Sequence, residues 1–291
     1  MTAPASLVAE LETSWGKDWC YLDASGLPAG AATHPIVDIA AIAATTGLRV
    51  IPMTTLHAPP IYQSGVANAV ARLGYGVGLR LNLQDMTSIP TWISSWPYSP
   101  SDTDIVVDLS DGVAMASALG SSLDHAFMTL HAGATWRSVT LAGTSMPPNF
   151  TGVPAGLHTI QRVEFGLWQR ISALSLPYQL SFGDYATVSP NAAPPGIAWG
   201  FPISVRYTLP ASFLICRGVG TTGPRGVDME PQLLAHATSI TGYAARSPLS
   251  HCWADSVIDR IAAGTAGPQG LEHWVQLGVN RHIEMVRAIL P

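Results

Sequence analysis

Short apolar runs separated by helical stretches recur from Trp19 to Phe182, and this alternation constrains the fold more than any other feature of the chain. The runs are centred on Cys20, Ile51, Leu79, Val107, Val139 and Leu180. They read as near-continuous apolar segments, the mark of strands buried on both faces. Strands of that kind linked by helices pair in parallel. The intervening helices are predicted over 5–15, where Leu7, Val8, Leu11 and Trp15 share a face, and over 35–46, with Pro35 at the start and Gly47 as a C-cap. Two more are predicted over 61–73, stopped by Gly74, and over 113–130.

Two further runs, 203–208 and 213–216, flank Leu209-Pro210-Ala211-Ser212 and read as a hairpin. Adding them to the helix-linked runs makes about eight strands, the complement of a (β/α) barrel of the TIM type, whose usual size this chain matches. The alternative is a doubly wound open sheet, because a tight hairpin turns one of its strands antiparallel. The expected organisation is one domain over 1–291. Strands and helices alternate over 1–223, and helices fill 224–291, at 231–245, 252–263 and 271–290 with a break at Gly264–Pro268.

Composition narrows the function. Hydrophobic residues make up 47% of the chain, charged residues only 11%, and the net charge is −5, so no basic stripe is present for sequence-wide nucleic-acid binding. Three cysteines without metal spacing read as free thiols of a reducing compartment, and the N-terminal residues lack the pattern of a secretory signal, so the expected location is cytoplasmic. The most apolar window, 36–44, is too short to span a bilayer and contains Asp38, so no membrane association is expected. The histidines show no metal-binding spacing, and neither a metal nor a cofactor is expected. Gly218-Val219-Gly220-Thr221-Thr222-Gly223 superficially matches a dinucleotide fingerprint, but its surroundings read as a loop and not a helix start. Around Ser145 a nucleophile elbow is half matched, Pro147 standing where a second glycine is needed.

The candidate ligand-binding residues follow from strand position. Asp23, Arg80, Asp108, Ser145 and Asp184 each fall near the carboxyl end of a predicted strand, where a barrel gathers its chemistry. His57 and Tyr185 follow strands, and Tyr207 lies in the hairpin. Arg80 reads as an anion clamp and Asp108 or Asp184 as a base; a structural ion-pair network is the competing reading. Arg162 and Glu164 read as a surface pair, and Trp136, Trp168 and Trp199 as packing residues. In the last helix Leu277, Ile283, Val286, Ile289 and Leu290 form an apolar stripe suited to a contact.

Several stretches in order carry a resemblance: Trp136 to Pro147, Arg162-Val163-Glu164-Phe165-Gly166-Leu167-Trp168, Ser181 to Tyr185, Arg206-Tyr207-Thr208, Arg217-Gly218, and Trp274 with Gly278-Val279-Asn280-Arg281-His282-Ile283. In that order and spacing the chain resembles the beta family proteins of prophages and phage satellites, over roughly Trp19 to the end. The chain departs from the family pattern in two ways. An initial Lys-bearing strand and Glu-bearing strand are not found, so a barrel incomplete at its N-terminus is expected, and Arg281-His282 stands where paired histidines are usual. The resemblance implies a parallel (β/α) barrel of a mobile-element cassette linked to antiphage defence, acting by binding a partner protein or small ligand at the strand carboxyl ends. It implies a homo-oligomer or a protein partner from the same cassette. The alternative is a barrel enzyme acting on a small phosphorylated or nucleotide-like metabolite.

Overall fold

The computed structural model describes residues 4–30, 33–191, 202–246 and 251–291, so Trp199 lies outside the described residues. The elements run α1 (Pro4–Trp15), β1 (Cys20–Leu22), α2 (Ile36–Thr46), β2 (Val50–Thr55), α3 (Pro60–Leu73) and β3 (Val77–Leu81). Then come α4 (Leu83–Met86), α5 (Ile89–Trp92), β4 (Thr103–Asp108), α6 (Val113–Ala118), α7 (Ser121–Gly133), β5 (Ser138–Gly143) and β6 (Gly156–Gln161). The rest are α8 (Val163–Ser172), β7 (Leu180–Asp184), β8 (Ser204–Thr208), β9 (Ser212–Arg217), α9 (Met229–Thr241), α10 (Trp253–Ala262) and α11 (Leu271–Ile289).

All the helix-linked runs named from sequence become strands of one six-stranded sheet, ordered β1-β2-β3-β4-β5-β7. The pairs from β1 to β5 are parallel, with Cys20 opposite Val50, Met53 opposite Gly78, Leu79 opposite Ile105 and Val107 opposite Leu141. The fold class is therefore mixed α/β with a parallel sheet, as the buried runs require.

The hairpin also forms, but among the described residues it does not complete a barrel. β8 and β9 pair antiparallel, β6 pairs with the other side of β9, and the three make a separate sheet ordered β6-β9-β8. The reason is the short link: a few residues around Pro210 reach only an antiparallel neighbour, whereas a parallel one needs a crossover of a dozen residues or more. β6 escapes a sequence reading because Gly156-Leu157-His158-Thr159-Ile160-Gln161 has no buried run; every residue in it is exposed or half-buried. The helix expected over 113–130 is two helices, divided where Gly120 takes a φ of 54° that an α-helix cannot contain.

The chain packs as two compact units. The first comprises Met1–Leu109, Ala116–Ala142 and Trp168–Gly183; the second comprises Ser110–Met115, Gly143–Leu167 and Asp184–Pro291. In the first, Val8, Ile36, Ile39, Ala43, Val50, Tyr62, Val66 and Ala69 form one core between α1, α2, α3 and the sheet. Trp136 and Trp168 are buried as expected.

In the second unit β9 is the central strand and Phe213-Leu214-Ile215-Cys216 is buried throughout. Leu214 and Cys216 join Val205 and Tyr207 of β8 in a core with Leu233, Ala237, Ile258 and Leu277 from the three following helices. Phe213 and Ile215 cluster instead with Met146 and Phe150. The division follows the two-residue period of a strand, which sends alternate side chains to opposite faces. Helix α11 buries only Leu277 of its apolar stripe fully, with Val286, Ile289 and Leu290 half-buried. Its buried face is Trp274, Leu277, Gly278, Arg281, His282 and Met285, and Ile283 is exposed. A Cβ on Gly278 would stand 3.1 Å from the Arg206 backbone oxygen, so the missing side chain lets α11 lie against β8. Among the described residues no helix is long and apolar enough to cross a membrane.

Candidate functional site

In the first unit the parallel register carries residues distant in sequence to one end of the sheet. Asp23 follows β1 directly, Arg80 is the penultimate residue of β3 and Asp108 is the last of β4. They meet: Arg80 Nη2 lies 2.8 Å from Asp23 Oδ2, and Arg80 Nη1 lies 4.0 Å from Asp108 Oδ2. The three side chains keep 38%, 25% and 13% exposure for Arg80, Asp23 and Asp108 respectively, so the cluster opens to solvent. Tyr62 lies behind it, its hydroxyl donating to the Met53 carbonyl at 2.8 Å and receiving the Ala24 amide at 3.0 Å. Burial pushes the Tyr62 phenol well above its ordinary value, and the neighbouring Asp23 carboxylate adds to the effect. Two carboxylates thus stand around one guanidinium. Arg80 is engaged by its own carboxylates and stands as a bridge between them.

His57, in the turn after β2, is placed differently. Its Nε2 lies 3.0 Å from Oδ1 of buried Asp85, while its own side chain is 76% exposed. Asp85 is held in turn by a capping box at the start of α4, where Asn82 accepts from the Asp85 amide and Asp85 accepts from the Asn82 amide. The pair borders a cavity of about 440 Å³ whose walls include Thr54, Gln63, Trp92, Trp96 and Tyr98. Sequence reasoning missed Asp85. The available signal was the Asn82-to-Asp85 capping spacing, hidden because the helix it starts is only four residues long.

In the second unit the candidates are interior. Ser145 donates from its hydroxyl to Glu164 and accepts the Val163 amide at 2.9 Å. Glu164 pairs with Arg162 at 3.3 Å, and Arg162 reaches Asp184 at 3.8 Å. The pair expected on the surface is thus inside, with the Arg162 side chain at 0% exposure, because β6 leads straight into α8 and the turn is covered. Asp184 accepts the Ala186 amide at 2.9 Å and lies 2.7 Å from His282 Nε2. His282 is bonded through its second nitrogen too, Nδ1 lying 3.1 Å from Thr208 Oγ1, and its ring stacks on Phe213 with centroids 5.8 Å apart. Tyr185 sits half-buried just past β7.

A second buried hub adjoins Thr208. Arg281 donates to the Thr208 carbonyl at 3.2 Å and to Asp255 at 2.9 Å. Tyr207 donates its hydroxyl to Asp255 at 2.7 Å, and Arg246 also reaches Asp255, at 3.0 Å. Burial alone would raise the Asp255 carboxyl, but the hydrogen bonds from Tyr207 and Arg246 and the charge of Arg281 bring it below its ordinary value. Tyr207 is accordingly a donor inside this hub. Both His282 nitrogens, the Ser145 hydroxyl and the Tyr207 hydroxyl have protein partners, so these residues hold the unit together.

A different polar site in the second unit was not anticipated. Arg206 and Arg217 border a cavity of about 510 Å³ between the Pro148–Thr151 loop, β8 and the first turns of α11. Among the described residues no group of three or more His, Cys, Asp or Glu side chains is placed to hold a metal ion. The loop from Gly218 to Gly223 leads to a helix that starts only at Met229, so it is not the glycine turn of a dinucleotide site.

A family model described as Beta protein matches residues 4–287. No curated protein and no solved structure matches the chain.

Proposed function

The chain belongs to the Beta protein family, and from that premise we propose that it works by binding a small polar ligand at the carboxyl ends of its parallel strands. The observation that supports this reading is the Asp23–Arg80–Asp108 cluster. It is solvent-accessible and mounted on the ends of rigid strands, where side chains are held more precisely than on loops. Its solvent-accessible carboxylates suit a ligand that presents a cationic or donor-rich group, because charge-assisted hydrogen bonds to a carboxylate are strong. The setting we propose is the mobile-element defence cassette implied by the family resemblance, with the ligand-bound protein passing its state to a partner from the same cassette.

The His57–Asp85 pair favours a second reading, an enzyme. An imidazole fixed at Nε2 by a buried carboxylate and exposed elsewhere has the form of a general base, and the adjoining 440 Å³ cavity has room for a metabolite.

Incubating the full chain with a cell metabolite extract, followed by washing, denaturation and mass spectrometry, tests both. Wild type is expected to retain a small molecule that the Asp23→Asn, Asp108→Asn double variant releases, at an unchanged melting temperature. Equal retention by both proteins would sink the binding reading. A converted product made by wild type and not by His57→Gln would establish the enzyme instead.

A further inference from the structure

Arg206 and Arg217 lie on the same face of the small antiparallel sheet. In the register Ser204 stands opposite Arg217 and Arg206 opposite Ile215, so the two arginines are diagonal neighbours, roughly 7–8 Å apart along the pleat. Both stand over the same ring, with their guanidinium carbons 5.3 and 5.9 Å from the Phe150 centroid. Both border the 510 Å³ cavity, which Asn149, Thr151, Thr187 and Trp274 also line.

Two cations side by side normally recruit a carboxylate. Here, among the described residues, none lies within ion-pair distance of either one, although nearby Arg162, Arg246 and Arg281 are all so paired. Arg217 spends its donors on a carbonyl and a hydroxyl, Nε to Val153 O at 3.2 Å and Nη1 to Ser204 Oγ at 2.8 Å, which fix it without neutralising it. Arg206 makes no side-chain hydrogen bond among the described residues, and its Nε is fully buried. Burial holds both groups below their ordinary arginine value, the sign of an environment that disfavours their charge. A half-buried arginine with a buried, unpartnered donor is costly to keep unless an anion completes it.

We propose that this cavity is a binding site for a phosphate ester of a small molecule, with Arg206 and Arg217 clamping the phosphoryl group. The choice of anion follows from charge and shape. Two guanidinium groups match the two negative charges of a phosphate monoester, whereas a single carboxylate would satisfy only one of them. Phe150 and Trp274 give an organic body apolar walls, and the volume falls in the range of small-ligand sites. The site uses no residue of the strand-end cluster and stands independently of the function proposed above.

Titration calorimetry on the full chain tests it with three probes: inorganic phosphate, adenosine 5′-monophosphate and acetate. The monophosphate is expected to bind tightest, phosphate more weakly and acetate not measurably, with affinity falling as salt is raised. Arg206→Met is expected to lose at least tenfold in affinity for the monophosphate while its unliganded melting temperature holds or rises, because an uncompensated half-buried charge is removed. Arg217→Met, which also gives up two protein hydrogen bonds, should lose affinity and some stability together, and Arg206→Lys should keep part of the binding. No saturable binding of either phosphate probe to wild type would overturn the proposal. So would a folded Arg206→Met protein that binds as tightly as wild type.

Discussion

The two units place the same kinds of residue at the ends of strands and make opposite use of them. In the first, Arg80 stands between Asp23 and Asp108 with its side chain 38% exposed. In the second, Arg162 joins Glu164 to Asp184 with its side chain at 0% exposure, and Asp184 passes the chain of contacts on to His282 and Thr208. Each nitrogen of His282 and each hydroxyl along that path already has a protein partner. A polar cluster enclosed in the interior holds a fold together, while one that keeps its charged groups open to solvent can present them to a ligand. Exposure to solvent distinguishes the two; position relative to the strand does not.

The sharpest way to break the comparison is Arg281→Ala. This side chain is fully buried between Asp255 and the Thr208 carbonyl, and removing it leaves Asp255 short of a countercharge. The expected loss is about 3–5 kcal/mol in urea unfolding, the range for breaking a buried pair. A loss within the scatter of surface substitutions would show that the hub is not structural. Next in size is Asp184→Asn, which keeps the acceptor for the Ala186 amide but removes the charge facing Arg162 and His282. A destabilisation of about 2 kcal/mol is expected, as for a hydrogen bond to a charged group, together with a sharp shift of the His282 ring resonances in NMR. Unchanged resonances would mean that the Asp184–His282 contact does not form. The smallest effect is assigned to Arg80→Met. Its pairs are open to water and screened, so stability should move by about 1 kcal/mol or less. A large loss there would place the strand-end cluster among the structural networks.

Much of the architecture was legible because burial on two faces leaves a pattern that needs no partner to be seen. The six parallel strands, the glycine stops of α2 and α3, the hairpin and the helical C-terminal segment all follow from local apolar runs and turn residues. The bringing together of Asp23, Arg80 and Asp108 was legible too, since parallel strands put their ends at one level. Other features left no such trace. β6 is half-exposed, so its pairing with β9 comes from backbone hydrogen bonds that every residue offers. The buried face of α11 contains Arg281 and His282, so a search for an apolar stripe selected residues such as exposed Ile283 instead. Asp85 became visible only once His57 stood beside it.

What the sequence determined by itself is the parallel strand-and-helix alternation and the antiparallel turn at Pro210, because these depend on periodicity and on the reach of short links. Only the tertiary structure decided that the hairpin builds a second sheet and that Arg162 and Arg281 are interior. It likewise decided that Arg206 and Arg217 share one face with no carboxylate at ion-pair distance among the described residues. Charge pairing is a property of distances between residues far apart in the chain, and the same arginine is a structural bridge or a ligand clamp according to which side chains the fold brings within a few ångströms of it.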